Sequence, residues 1–191
     1  QDFSDSLGIL RLAEKCNGSG DCRKLPSAGG TLCPSYRATR NEKDTTRARA
    51  NALRQYLTDS DKTNKFDQEE LYQVFDLCVS CKACASECPS NVDIASLKAE
   101  FLYQYYQSNP VDFRTQMFAD NVKWNKLGSI APTLTNLVLN TAATKKIMGI
   151  HPKRSIPALQ PVTLEKWCDK NKARLASKKH EKGKLYLFLD E

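Results

Sequence analysis

The sequence predicts a mainly α-helical protein carrying two cysteine loops and one short C-terminal strand. Three observations lead there. Apolar residues recur every three to four positions in several stretches. Seven of the eight cysteines fall in two groups, at 16–33 and 78–88. Most glycines and prolines gather between the periodic stretches.

Ser4 or Asp5 can cap a first helix through Leu7, Leu10 and Lys15, ending before the run 16–22. Residues 23–35 hold Pro26, Gly29, Gly30 and Pro34 and predict an irregular loop. From Asp44, Thr46, Ala50, Leu53 and Leu57 mark a helical stripe, with Arg47, Arg49 and Arg54 mostly off it. A further helix spans about 67–77, with Leu71, Val74 and Phe75 inward, and leads into the denser cysteine group. Asp93 caps a helix through Leu97, Phe101, Leu102 and Tyr105, stopped by Asn109 and Pro110. Helices are expected at 111–124 and 130–147, an extended connector at 149–162 with three prolines, a short helix at 163–175 and a strand at 184–189.

The 191 residues are 40% hydrophobic and 27% charged, enough for one domain or two small ones, with a formal charge of +7. No apolar run reaches membrane-spanning length. Gln1 opens the sequence without a secretory pattern behind it, and an apolar run stands just before its end. It therefore reads as a segment of a longer cytoplasmic chain. Four cysteines within residues 78–88 are too crowded to pair without strain, yet suit a metal.

That run is Cys78-x2-Cys81-x2-Cys84-x3-Cys88-Pro89, the spacing of bacterial ferredoxins. Three thiolates of such a run hold one cubane, and the fourth, before the proline, serves another cluster. Small residues in the spacers (Ser80, Ala83, Ala85, Ser86) let backbone approach closely. Four cysteines could also hold zinc, although zinc sites usually come as separated pairs.

The second motif lies upstream: Cys16-x2-Ser19-x2-Cys22, then ten residues to Cys33-Pro34. Crossed ligation assigns Cys33, Cys78, Cys81 and Cys84 to one [4Fe–4S] site. Cys16, Cys22 and Cys88 form a second site one thiolate short, either [3Fe–4S] or a [4Fe–4S] completed by water, Ser19 or Asp21. Arg23, Lys24, Arg37, Arg40 and Lys82 lie near ligands in sequence and could offset cluster charge or simply face solvent.

The elements around Cys16–Arg23, Leu32–Thr39, Leu77–Cys84 and Val92-Asp93, with a weaker likeness at His151–Arg154, resemble the iron–sulfur part of FAD-linked D-2-hydroxyacid dehydrogenases. That group oxidises D-2-hydroxyglutarate, D-lactate or glycolate. The Cys-Pro-Ser-Tyr element is also similar to the helical two-cluster domain of the succinate dehydrogenase iron–sulfur subunit. The resemblance implies an α-helical ferredoxin-like domain over 1–148, a connector and short helix over 149–183, and at 184–191 the start of a following cysteine-rich domain. It implies electron relay from a flavin to an acceptor such as quinone. The FAD would sit on an adjacent domain that is the partner of this segment. Iron–sulfur subunits of heterodisulfide-reductase-like or glycerol-3-phosphate dehydrogenase complexes are the nearest competitors within that class.

No nucleophile–base constellation is present, and His151 and His180 stand apart in polar surroundings, so no catalytic site is expected in this segment. No nucleotide-binding glycine motif occurs. Cys168 beside Trp167 is read as a packed or surface thiol, and Phe101, Tyr103, Tyr105 and Tyr106 as core and rim, with quinone or base stacking the lesser reading. The basic run at 178–184 reads as a solvated linker, compatible with peripheral contact at the inner face of a membrane. A zinc-stabilised helical module binding nucleic acid is the alternative from another class. The iron–sulfur reading assigns no nucleic-acid partner.

Overall fold

A computed structural model describes residues 2–176 of the chain. Packing divides it into two compact units, Gln1–Pro110 and Val111–Glu191. Helix is the only regular structure among the described residues. The strand expected at 184–189, the run at 178–184 and His180 lie outside them.

The first unit holds six α-helices: α1 (Ile9–Glu14), α2 (Pro34–Thr39), α3 (Thr46–Asp59), α4 (Glu69–Asp76), α5 (Ala83–Glu87) and α6 (Ile94–Tyr105). Its two longest helices start on side-chain caps. Thr45 accepts the Ala48 amide at 2.9 Å, and Asp93 accepts the Ser96 amide at 3.1 Å. Helix α3 packs against α1, α4 and α6. Phe75 of α4 stacks on Phe101 of α6 with ring centroids 5.2 Å apart, and Tyr105 stacks on Tyr72 at 5.0 Å. Tyr105 donates to Glu69 at 2.8 Å, and that bond pushes its pKa up to about 12. Tyr103 on the same helix faces solvent, so the aromatic run is core and rim as expected.

The first expected helix is broken. Leu7 and Gly8 take positive φ of 57° and 105°, which separates a 3-10 turn at Ser4–Ser6 from α1. Helix α2 was not expected. Its N-terminus is set by Pro34 at the first helical position, where the missing N–H costs nothing. Arg49 reverses its expected exposure. It lies three residues after Thr46 and four before Leu53, hence on their face, and is fully buried.

The second unit holds α7 (Phe113–Ala119), α8 (Asn121–Gly128), α9 (Pro132–Leu139), α10 (Ala142–Ile147) and α11 (Leu164–Ala176). Each of the two longer helices expected here is split. Asp120 interrupts the first, and Thr141 caps a new start in the second by accepting the Thr144 amide at 3.2 Å. Residues 149–162 form no helix or strand, in keeping with their prolines. The fully buried apolar side chains described all belong to the first unit. In the second unit Phe113, Trp124, Leu134 and Leu137 are among those left exposed. No described helix is long and apolar enough to cross a membrane.

Candidate metal centre

Cys33, Cys78, Cys81 and Cys84 line one cavity in the first unit. They arrive from three separate elements. Cys33 precedes α2 as its N-cap, Cys78 follows the end of α4, and Cys84 stands in the first turn of α5. Between them, Ser80 and Lys82 adopt positive φ of 50° and 62°. Those two left-handed residues curl the chain tightly enough for three cysteines to share one wall. Cys33 and Cys84 are buried, Cys78 is half-buried and Cys81 is exposed, so the cavity has one edge toward solvent.

The N-terminus of α6 faces this cavity. The amides of Ile94 and Ala95 point at the Cys84 sulfur and favour its anion, but burial outweighs them and pushes the thiol up to about 11. Loading a metal here must therefore displace that proton. A parallel arrangement occurs at α3, where the Arg47 amide and the Thr45 hydroxyl face the Cys22 sulfur. Burial raises that thiol too. Each long helix of the unit thus turns the positive end of its dipole toward a cysteine.

Behind Cys33 lies a buried polar network. Arg49 donates through Nη1 to the Asp44 carbonyl at 2.8 Å, to Ser35 Oγ at 3.0 Å and to Cys33 Sγ at 3.6 Å. Its Nε donates to the Val74 carbonyl at 3.0 Å. Lys98 donates to the carbonyls of Phe75 at 2.9 Å and Cys78 at 2.7 Å. Two cations therefore hold the C-terminal carbonyls of α4, the helix that delivers Cys78. Sequence reasoning missed Arg49 and Lys98. The available signal was a charge placed on the apolar face of α3.

Cys16, Cys22 and Cys88 border the same core but not that cavity. What ties their two motifs together is Glu87. Its carboxylate accepts the amides of Thr31 at 2.7 Å and Leu32 at 3.1 Å, and pairs with Lys24 at 3.5 Å. Those bonds hold the Glu87 pKa below the usual carboxylate range. The loop before Cys33 is thereby fastened to the residue before Cys88. Ser19 and Asp21 are exposed, and the Ser19 hydroxyl donates to Asp21 at 3.2 Å.

The nearby cations separate into distinct roles. Lys82 lines the cavity. Arg23 and Arg40 stand over the Tyr36 ring at 6.0 and 5.8 Å, and Arg37 donates to the Gly29 carbonyl at 3.1 Å. In the second unit, Cys168 is half-buried on α11, and exposed His151 accepts the Lys153 amide at 3.3 Å.

The donor set, four cysteine sulfurs, fits an iron–sulfur cluster. Four sulfurs surround the cavity with no imidazole or carboxylate among its lining residues. Among the described residues, no three His, Cys, Asp or Glu side chains are gathered to hold one metal ion. A buried guanidinium nitrogen beside the cavity, Arg49 Nη2, also has no hydrogen-bond partner.

Comparison with known families agrees, since residues 15–93 match the family model described as a 4Fe-4S dicluster domain. The chain is similar to D-2-hydroxyglutarate dehydrogenase of Escherichia coli (strain K12), 24% identical over 190 residues, covering 78% of this chain and 19% of the relative. The enzyme of the same name from Pantoea ananatis is 23% identical over 193 residues, covering 81% and 18%. That from Pseudomonas putida is 24% identical over 137 residues, covering 56% and 13%. The chain spans less than a fifth of the length of these relatives. No solved structure matches it. The chain is thus an iron–sulfur segment related to such dehydrogenases, in keeping with an electron-transfer role.

Proposed function

We propose that this chain relays electrons, one at a time, from a flavin that oxidises a D-2-hydroxyacid toward an acceptor such as quinone. The observation that carries the reading is the cavity shared by Cys33, Cys78, Cys81 and Cys84, three of which come from one ferredoxin-spaced run. A bound [4Fe–4S] cluster supplies one-electron chemistry there. Cys33 and the three later cysteines would hold it, while Cys16, Cys22 and Cys88 would hold the second cluster, [4Fe–4S] or [3Fe–4S]. Buried Arg49, half-buried Lys98 and the start of α6 place positive charge behind the sulfurs. Exposed Cys81 and Val79 mark the edge open to a partner. The flavin and the hydroxyacid would belong to a dehydrogenase domain outside these residues, in the cytoplasm or at the inner membrane face.

The test is anaerobic reconstitution of the chain with iron and sulfide, followed by iron counting and mixing with a photoreduced flavin. Seven to eight irons, broad visible absorbance and bleaching by the flavin are expected. A colourless chain that retains zinc and takes up no iron would overturn the reading in favour of a zinc module.

A further inference from the structure

Arg49 is a feature of this cavity that ligand spacing does not account for. It is among the largest fully buried side chains, and it lines the cavity formed by Cys33, Cys78, Cys81 and Cys84. Burying a guanidinium is unfavourable unless its donors are met and its charge is answered. Three of its bonds are to carbonyl or hydroxyl oxygens, and one reaches the Cys33 sulfur. The remaining nitrogen, Nη2, has no hydrogen-bond partner. Its nearest counter-charge is Asp44 Oδ1 at 3.8 Å, beyond hydrogen-bond reach, and that oxygen is itself unpartnered. The other Asp44 oxygen accepts the Thr39 hydroxyl at 2.6 Å. A buried cation with a free donor therefore stands beside four cysteines.

We infer that Arg49 is the counter-ion of the cluster held by Cys33, Cys78, Cys81 and Cys84, donating to its sulfur and raising its reduction potential. This rests on the proposed function, because it requires the cluster to be there. Four thiolates leave a cubane net negative, and one-electron reduction adds a further negative charge. A cation fixed in a low-dielectric site stabilises the reduced form more than the oxidised one. Asp44 acts in the opposite sense, since its carboxylate partly offsets the guanidinium.

The inference is tested by redox titration of the reconstituted full chain, followed by electron paramagnetic resonance. Arg49→Gln should lower the potential of the cluster whose signal Cys81→Ala alters, and leave the other unchanged. The expected shift is at least tenfold in the reduced-to-oxidised ratio, about 59 mV for one electron. Asp44→Asn should shift the same cluster upward. Arg49→Lys keeps the charge and should stay nearer the wild type than Arg49→Gln. If Arg49→Gln cannot hold the cluster but Arg49→Lys can, the need for charge is supported. Loss from both, or an unmoved potential in Arg49→Gln, overturns the inference and leaves the proposed function standing. A wild-type chain without clusters would overturn both.

Discussion

A Cβ added to Gly30 would collide with the Glu87 carboxylate, which lies 57 positions further along the sequence. Gly30 also holds a φ of +78°, so the loop passes there both closely and in a left-handed conformation. The carboxylate that fills the space accepts the next two amides, Thr31 and Leu32. A single contact thus fixes the approach to Cys33 and anchors the residue before Cys88. It joins the two cysteine motifs without using a cysteine.

Gly30→Ala should accordingly loosen the loop. The left-handed backbone alone costs an alanine about 1 kcal/mol, and the displaced carboxylate adds to that. Faster hydrogen exchange at the Thr31 and Leu32 amides and reduced iron retention are the expected outcomes. Glu87→Ala should free the same amides. Exchange rates unchanged in both variants would show that the clamp does not hold the loop.

Cluster pairing follows from the shared cavity. Cys33→Ala and Cys81→Ala should damage the same cluster, while Cys88→Ala should damage the one assigned to Cys16 and Cys22. Electron paramagnetic resonance of the three variants separates the outcomes. The same spectral loss in Cys81→Ala and Cys88→Ala would contradict the crossed arrangement.

Ser19 stands where the first motif lacks a thiolate, and its hydroxyl is engaged with Asp21. A serine hydroxyl is a poor iron ligand at neutral pH compared with a thiolate. The site assigned to Cys16, Cys22 and Cys88 should therefore lose an iron in air and give a [3Fe–4S] signal. Ser19→Cys should make the four-iron form persist and change its potential. Two four-iron clusters of equal air stability in the wild type would mean that Ser19, Asp21 or water already completes the site.

The second unit offers a pH test independent of iron. Asp112 caps α7 by accepting the Thr115 hydroxyl at 2.6 Å and its amide at 2.8 Å, which holds the Asp112 pKa below its ordinary value. A depressed folded-state pKa favours the fold above the unfolded-state value, about 3.9. That contribution disappears as pH falls through the lower, folded-state value. Helical signal from α7, followed by nuclear magnetic resonance, should weaken on that descent. Asp112→Asn, which can still cap, should remove this part of the pH dependence.

Helix-forming segments and the chemistry of the cysteines were legible without a fold, because both are local. Periodicity marks Thr46, Ala50 and Leu53 as one face of α3, and Asp93 announces α6 by its capping chemistry. Ferredoxin spacing groups Cys78, Cys81 and Cys84 because a backbone with two left-handed residues can bring them to one wall. Helix breaks were less visible. Nothing in the residue types of Leu7 or Asp120 outweighs the helical pattern around them, and tertiary packing decides whether such a turn continues.

Only the tertiary structure decided what stands behind the ligands. Arg49 looked like one of several solvent-facing arginines, since sequence cannot say whether a partner will bury a charge. In the fold, the Asp44 and Val74 carbonyls and Ser35 converge on it from different elements, which makes its burial tolerable. Glu87 likewise acquired its role from a loop more than fifty residues away. Ligand identity is written in spacing, because a short chain can curl only so far around a metal. Charge and order around the ligands depend on long-range packing, so the sequence determined the cysteine chemistry and the fold determined its electrostatic setting.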